Sequence, residues 1–136
     1  MQSNLSSSLE NYALKGKGRG KGREVPSFDF KKKHPFDARR KESSSVLSRY
    51  PDRIPVVVQP YGSAPKIDKS KYLVPNTLTC GQFLFILRRR LSIGSEQALF
   101  LHVDGLLLVG SFPLSSAKRD EDGFLYVSYS VENAFG

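Results

Sequence analysis

Few side chains in this sequence of 136 residues carry reactive chemistry, and their spacing argues against catalysis. Cys80, the single cysteine, falls where a helix is expected to begin, a position that can lower a thiol pKa. Its helical register groups it with Leu84, Leu87 and Leu91, which points it into a core, where unpaired cysteines are usually inert. His34 precedes a proline in a basic segment and His102 falls in an expected strand. Neither has a cysteine or acidic cluster at metal-ligand spacing. Asp120-Glu121-Asp122 lacks the alternating spacing of a calcium loop and reads as a solvated turn. Gly16, Gly18, Gly20 and Gly22 follow no strand and open no helix, so they do not form a phosphate-binding loop. The expectation is a protein that is not an enzyme and holds no metal or cofactor.

The carboxyl end offers one further group. Ser130–Gly136 reads as a short tail ending in glycine. An unhindered glycine carboxylate can be activated as an acyl-adenylate, and a small flexible residue fits narrow enzyme channels. The plain alternative is that glycine is common and a chain must end somewhere.

The elements that would position these groups follow from pattern. Glycine alternates with basic residues from Lys15 to Arg23, so residues 1–27 read as a disordered extension, and 28–136 as one domain. One helical turn fits Phe28–His34 and a second helix fits Asp37 to about Tyr50, ended by the turn Tyr50-Pro51-Asp52-Arg53. Ile54–Val58 is a β-branched run that must place Pro55 where no N–H is required. Lys71–Val74 is a second strand, close enough in sequence to pair with it antiparallel. Thr79 and Gln82 have capping-box spacing, and an apolar helical period follows at once. Besides the core stripe through Cys80, the residues Phe83, Ile86 and Arg90 share a neighbouring face, which reads as the flank of a pocket. Gly94 marks the helix stop. Leu99–Val103 and Phe124–Tyr129 are further strands, with a turn at Asp104-Gly105. The expected fold class is α+β: a β-grasp with a four-stranded mixed sheet, a crossing helix and two additional N-terminal helices.

Charge is uneven. The formal net charge is +8, and residues 31–60 alone hold eight Lys/Arg against three Asp/Glu. Such a segment attracts anionic lipid, nucleic acid or acidic peptide, or is simply a solvated face. No run approaches the ~18 apolar residues of a membrane span, and no apolar stretch near Met1 could serve as a secretory signal. One cysteine fits a reducing compartment.

Several strings together carry a family resemblance. They are Lys33-His34-Pro35-Phe36 with Arg39-Arg40; Tyr50-Pro51-Asp52-Arg53-Ile54-Pro55-Val56; Asp68-Lys69 with Lys71-Tyr72-Leu73-Val74-Pro75; Leu78-Thr79 with Gly81-Gln82-Phe83; Ala98-Leu99-Phe100; and Phe124-Leu125-Tyr126 leading to Phe135-Gly136. In this order the chain resembles the autophagy-related ubiquitin-like modifiers, the GABARAP-like family, across residues 28–136. The resemblance implies a substrate of an enzyme cascade. Activating and conjugating enzymes would pass the Gly136 carboxylate to phosphatidylethanolamine, moving the protein from the cytoplasm to the autophagosome membrane. A cysteine protease would process or delipidate such a protein. The resemblance also implies binding of receptor peptides with an aromatic residue and an aliphatic one three positions later. The aromatic pocket would carry over to Glu42, Val46, Pro55, Val57, Lys71, Leu73 and Phe124. The aliphatic pocket would carry over to Tyr72, Val74, Pro75, Leu78, Phe83 and Ile86, with Arg53, Lys69 and Arg90 facing acidic residues. The stretch Asp104–Asp122 departs from the family pattern, leaving the usual helix there in doubt and Leu106–Val109 as either a strand or an apolar patch. Two other readings stand beside this one: a sister modifier joined to a protein lysine, and a nucleic-acid binder using the basic glycine-rich tail. Nucleic acid ranks last, because the tail has little aromatic content.

Overall fold

The computed structural model describes residues 27–133. The Gly/Lys/Arg extension, apart from Ser27, and the terminal Gly136 lie outside the described residues. The elements run α1 (Asp29–Lys33), α2 (Phe36–Arg49), β1 (Arg53–Pro60), β2 (Lys71–Pro75), α3 (Cys80–Leu91), β3 (Gln97–Val103), β4 (Leu106–Leu108), a 3-10 turn (Leu114–Ser116) and β5 (Leu125–Asn133).

The sheet has five strands in the order β2-β1-β5-β3-β4, one more than expected. β1 and β5 run parallel at its centre, and the flanking pairs are antiparallel. The added strand arises at Asp104-Gly105, where both residues have positive φ (52° and 78°), the conformation that lets two residues close a twisted hairpin. Leu108 then joins the core beside Leu101, and Leu106 is buried opposite Val103. Between β4 and β5 the chain forms only the 3-10 turn, so no α-helix occupies 104–122. At the other end, β5 continues through Ser130 to Asn133 and pairs with Gln97, so the expected tail is strand over its first four residues.

Pro55 fits because of ladder alternation. Val58 N donates to Ser70 O, so alternate residues Val56 and Ile54 face β2, and the missing N–H of Pro55 faces the other way. There the β5 ladder begins only at Val56.

Period-2 alternation divides the apolar residues between two faces. Ile54, Val56, Val58, Leu101, Leu125, Val127 and Tyr129 pack with α3 into the main core. Val57, Phe124 and Tyr126 form a second cluster with Phe28 and Phe30 beneath the N-terminal helices. α3 begins with the expected capping box: Thr79 Oγ1 accepts from Gln82 N, and Gln82 Oε1 accepts from Thr79 N. The loop after β4 completes the cap, since Cys80 N and Gly81 N donate to the carbonyls of Phe112 and Gly110. The helix stops at Ser92 in the left-handed conformation, two residues before Gly94.

The buried stripe of α3 is Cys80, Phe83, Leu87 and Leu91. Phe83 is fully buried, which corrects the reading that placed it on a face the core does not need. The helix is rolled toward β2, so that Phe83 meets the Tyr72 ring edge-on at 5.5 Å and Leu84 is left half-buried at the flank.

Candidate functional site: the β2 edge

β2 ends the sheet, and its outer side is unpaired among the described residues. Because Tyr72 and Val74 exchange bonds with β1, the backbone groups of Lys71 and Leu73 point outward. Two residue sets lie on opposite faces of this edge. On the face of the N-terminal helices are Lys71 and Leu73, with Pro55, Val57 and Phe124 behind them and Glu42 and Val46 on α2. Lys71 Nζ pairs with Glu42 at 2.7 Å and lies 5.4 Å from the Phe30 ring centroid, so the side chain ties β2 to both helices. On the face of α3 are Tyr72, Val74 and Phe83, all buried, with half-buried Leu78 and Ile86 and exposed Pro75 around them.

Cations surround the edge. Arg53 stacks on Tyr50 at 5.9 Å, and Lys69 Nζ lies 5.0 Å from the Tyr72 ring centroid. Arg90 binds both carboxylate oxygens of Asp68, at 3.2 and 3.3 Å. The Tyr72 hydroxyl is buried beneath them and has no hydrogen-bond partner among the described residues. Burial raises its pKa, and Asp68 adds to that rise against the opposing pull of Arg90.

Beyond the start of β2, on the face of the N-terminal helices, lies a cavity of about 540 Å³. Its walls come from α1 (Asp29, Phe30, Lys33, His34), the end of β1 (Val57–Pro60), the loop residues Lys66, Ile67 and Ser70, and Lys71. Val57 and Lys71 thus belong to both the predicted aromatic set and this cavity.

What holds the N-terminal helices over the sheet escaped the sequence reading. Asp122, read there as part of a solvated turn, is fully buried. Its carboxylate accepts from Arg39 Nε at 2.8 Å, from the Tyr126 hydroxyl at 2.6 Å and from Phe124 N at 2.9 Å. The Asp122 carbonyl also accepts from Ser43 Oγ on α2. A Cβ on Gly123, where φ is +95°, would collide with that serine. Arg39 Nη1 also donates to the carbonyls of Lys31 and His34, so one guanidinium joins α1, α2 and the approach to β5. Burial and the Asp122 carboxylate together push the Tyr126 phenol pKa well up. The available signal was the spacing: Asp120 and Asp122 each accept from the backbone N–H two residues on, the mark of an Asx turn rather than a solvated run.

Cys80 is buried on α3, and desolvation pushes its thiol pKa up to about 11, the opposite of an activated nucleophile. Among the described residues no group of three or more His, Cys, Asp and Glu could hold a metal ion, and no described helix is long and apolar enough to cross a membrane.

Residues 38–136 match the family model described as autophagy protein Atg8, ubiquitin-like. Among curated relatives, autophagy-related protein 8a of Arabidopsis thaliana is 47% identical over 112 residues, covering 79% of this chain and 92% of that protein. Autophagy-related protein 8 of Mycosarcoma maydis is 46% identical over 112 residues, covering 79% and 95% respectively. Among solved structures, the crystal structure of Trypanosoma brucei ATG8 superposes with a TM-score of 0.75 at 35% identity, covering 82% of this chain and all of that one.

Proposed function

From the premise that this chain belongs to the Atg8 family of ubiquitin-like autophagy proteins, we propose that it is a lipid-conjugated modifier that also docks receptor peptides. The carboxyl carbon of Gly136, activated as an adenylate and passed through enzyme thioesters, forms an amide with the amine of phosphatidylethanolamine and releases the enzyme thiolate. Support comes from the family match, which runs through residue 136. Two acyl chains suffice for stable anchoring, so the product resides on the autophagosome membrane and the unmodified chain in the cytoplasm. The partners are the activating and conjugating enzymes, a cysteine protease that processes or delipidates, and receptors with aromatic-x-x-aliphatic motifs.

The observation that carries the docking half is the two-sidedness of the β2 edge. In an extended chain, residues three apart point to opposite faces. A peptide pairing with the outward groups of Lys71 and Leu73 therefore sends its aromatic side chain toward Val46, Val57 and Leu73. Its aliphatic residue goes to the other face, beside Tyr72, Leu78 and Ile86. Arg53, Lys69 and Arg90 receive flanking acidic residues, with Arg90 released from Asp68 when it does so.

The conjugation half is tested by the mass of whatever is attached to Gly136 in starved cells. An increment of phosphatidylethanolamine supports the lipid modifier, whereas the mass of a whole protein moves the chain to the sister modifier. Gly136→Ala abolishes the adduct and leaves peptide affinity unchanged. Loss of both overturns the separate roles given to Gly136 and the β2 edge.

A further inference from the structure

An arginine three residues before a serine occurs twice in the chain, at Arg40–Ser43 and at Arg89–Ser92. The second string is the fuller one. Arg88-Arg89-Arg90-Leu91-Ser92-Ile93 sets arginines three and two positions before the hydroxyl and an apolar residue directly after it. An arginine-directed protein kinase reads this spacing, because acidic side chains in its substrate groove pair with guanidinium groups along an extended segment. The fold separates the two strings. Ser43 is buried on α2, and its hydroxyl is engaged by the carbonyls of Arg40 and Asp122. Ser92 is exposed, and so are Arg89 and Arg90.

Ser92 also stands where the chain opens readily. It caps the carboxyl end of α3 in the left-handed conformation (φ 49°, ψ 41°), a strain on serine that is relieved when the last turn unwinds. Helix ends fray, and residues 92–96 belong to no helix or strand. Among the described residues Arg89 stacks on the Phe85 ring at 5.7 Å and Arg90 pairs with the exposed Asp68, so neither is anchored in the core. Leu91 is buried, and unwinding one turn is what presents the whole segment in extended form.

We propose that Ser92 is the acceptor site of an arginine-directed serine/threonine kinase. Ser92 Oγ forms a bond to the γ-phosphorus of Mg-ATP, and the bond from that phosphorus to the β–γ bridging oxygen breaks. ADP leaves with the electron pair, and the hydroxyl proton passes to the catalytic aspartate of the kinase. The phosphate brings about −1.5 to −2 charges to the negative end of the α3 dipole, so it must be met by cations. Arg88 and Arg89, four and three residues before it, share its side of the helix. In the unmodified chain Arg88 donates to the carbonyls of Gly94 at 3.3 Å and Gln97 at 2.6 Å. Gln97 in turn opposes Asn133 in the register of β3 and β5. A phosphate that draws Arg88 away therefore loosens the strand end that precedes residues 134–136. This inference does not depend on what is joined to Gly136.

The test treats the full chain with Mg-ATP and the catalytic subunit of cyclic-AMP-dependent protein kinase, an arginine-directed enzyme, and maps the phosphate by fragment mass. Expected is phosphate on Ser92 of the folded chain, absent in Ser92→Ala. Arg89→Ala, at an exposed position, lowers kcat/KM for the transfer about tenfold or more. Amide hydrogen exchange across Gln97–Leu99 and Val131–Asn133 rises on phosphorylation, as it does in Arg88→Ala without phosphate. A peptide spanning Leu87–Ser95 that is labelled while the folded chain is not overturns the site. So does phosphate mapped only to other residues, or a rate that Arg89→Ala leaves unchanged. Unaltered exchange in the phosphorylated chain overturns the part given to Arg88.

Discussion

The two edges of the sheet, β2 and β4, share one problem and answer it differently. Among the described residues both present unpaired backbone, and an unpaired edge is a template for another strand. β4 keeps three residues, follows a two-residue turn, and shows Leu107 (41% exposed) with Val109 (64%) beyond it. Among the described residues it offers a short ladder and no second wall. β2 keeps five residues between two walls, with α1 and α2 on one face and α3 on the other. Its outward backbone groups lie between side-chain sets of different chemistry: apolar beneath Phe83 and Ile86, mixed and cationic beneath Lys71 and Phe30. On the proposed reading, an edge becomes a recognition site when other elements build pockets on both of its faces, and shortness protects the edge that has none.

That contrast is broken most severely by removing the wall. Asp122→Ala leaves Arg39 without its carboxylate in a buried setting and frees α1 and α2 from the sheet. The expected loss is about 3 kcal/mol of stability, read from denaturant midpoints at constant slope. By contrast, Leu107→Ala on β4 is expected to change stability by less than about 0.5 kcal/mol. Equal effects at the two positions would mean that the N-terminal helices stay in place without the Asp122 network.

A change on the edge itself is smaller and shows in binding rather than folding. Leu73→Ala removes a half-buried side chain from the proposed aromatic pocket and is expected to weaken motif-peptide affinity about tenfold, with Leu107→Ala leaving it unchanged. Affinities that respond equally to both would contradict the assignment of docking to β2.

The smallest effect concerns pH. At Asp120 burial works against the charged form, but hydrogen bonds from Lys31 and the Asp122 N–H outweigh it and hold the pKa below the usual carboxylate value. A depressed native pKa means that the unfolded chain takes up this proton first. The contribution is therefore complete above about pH 4 and is lost as pH falls through the native value. Asp120→Asn should lower stability slightly at neutral pH and flatten the acid limb of the stability profile below about pH 4. An unchanged acid limb would show that the Lys31–Asp120 pair contributes nothing.

The same contrast explains what the sequence could reveal. The order of helices and strands, the α3 capping box, the Asp104-Gly105 turn and the antiparallel β1–β2 pair were all readable, because each depends on local chemistry or on period. The fifth strand was not settled, since Leu106-Leu107-Leu108-Val109 is apolar at every position and carries no period to distinguish strand from patch. Phe83 was misplaced because Leu84 fits the same stripe equally well, and only the roll of α3 toward Tyr72 separates them. Asp122 was read as solvated because an acidic triplet looks the same in sequence whether or not an arginine 83 positions away reaches it. Tertiary partners over such distances leave no local mark.

The most direct test of the central claim is amide chemical-shift mapping of the full chain on addition of an unphosphorylated aromatic-x-x-aliphatic peptide. Expected are shifts at Lys71–Val74, at β1 and at the α2 and α3 residues flanking them, with Leu106–Leu108 silent. Shifts centred on β4, or none along β2 at saturating peptide, would contradict docking at the β2 edge.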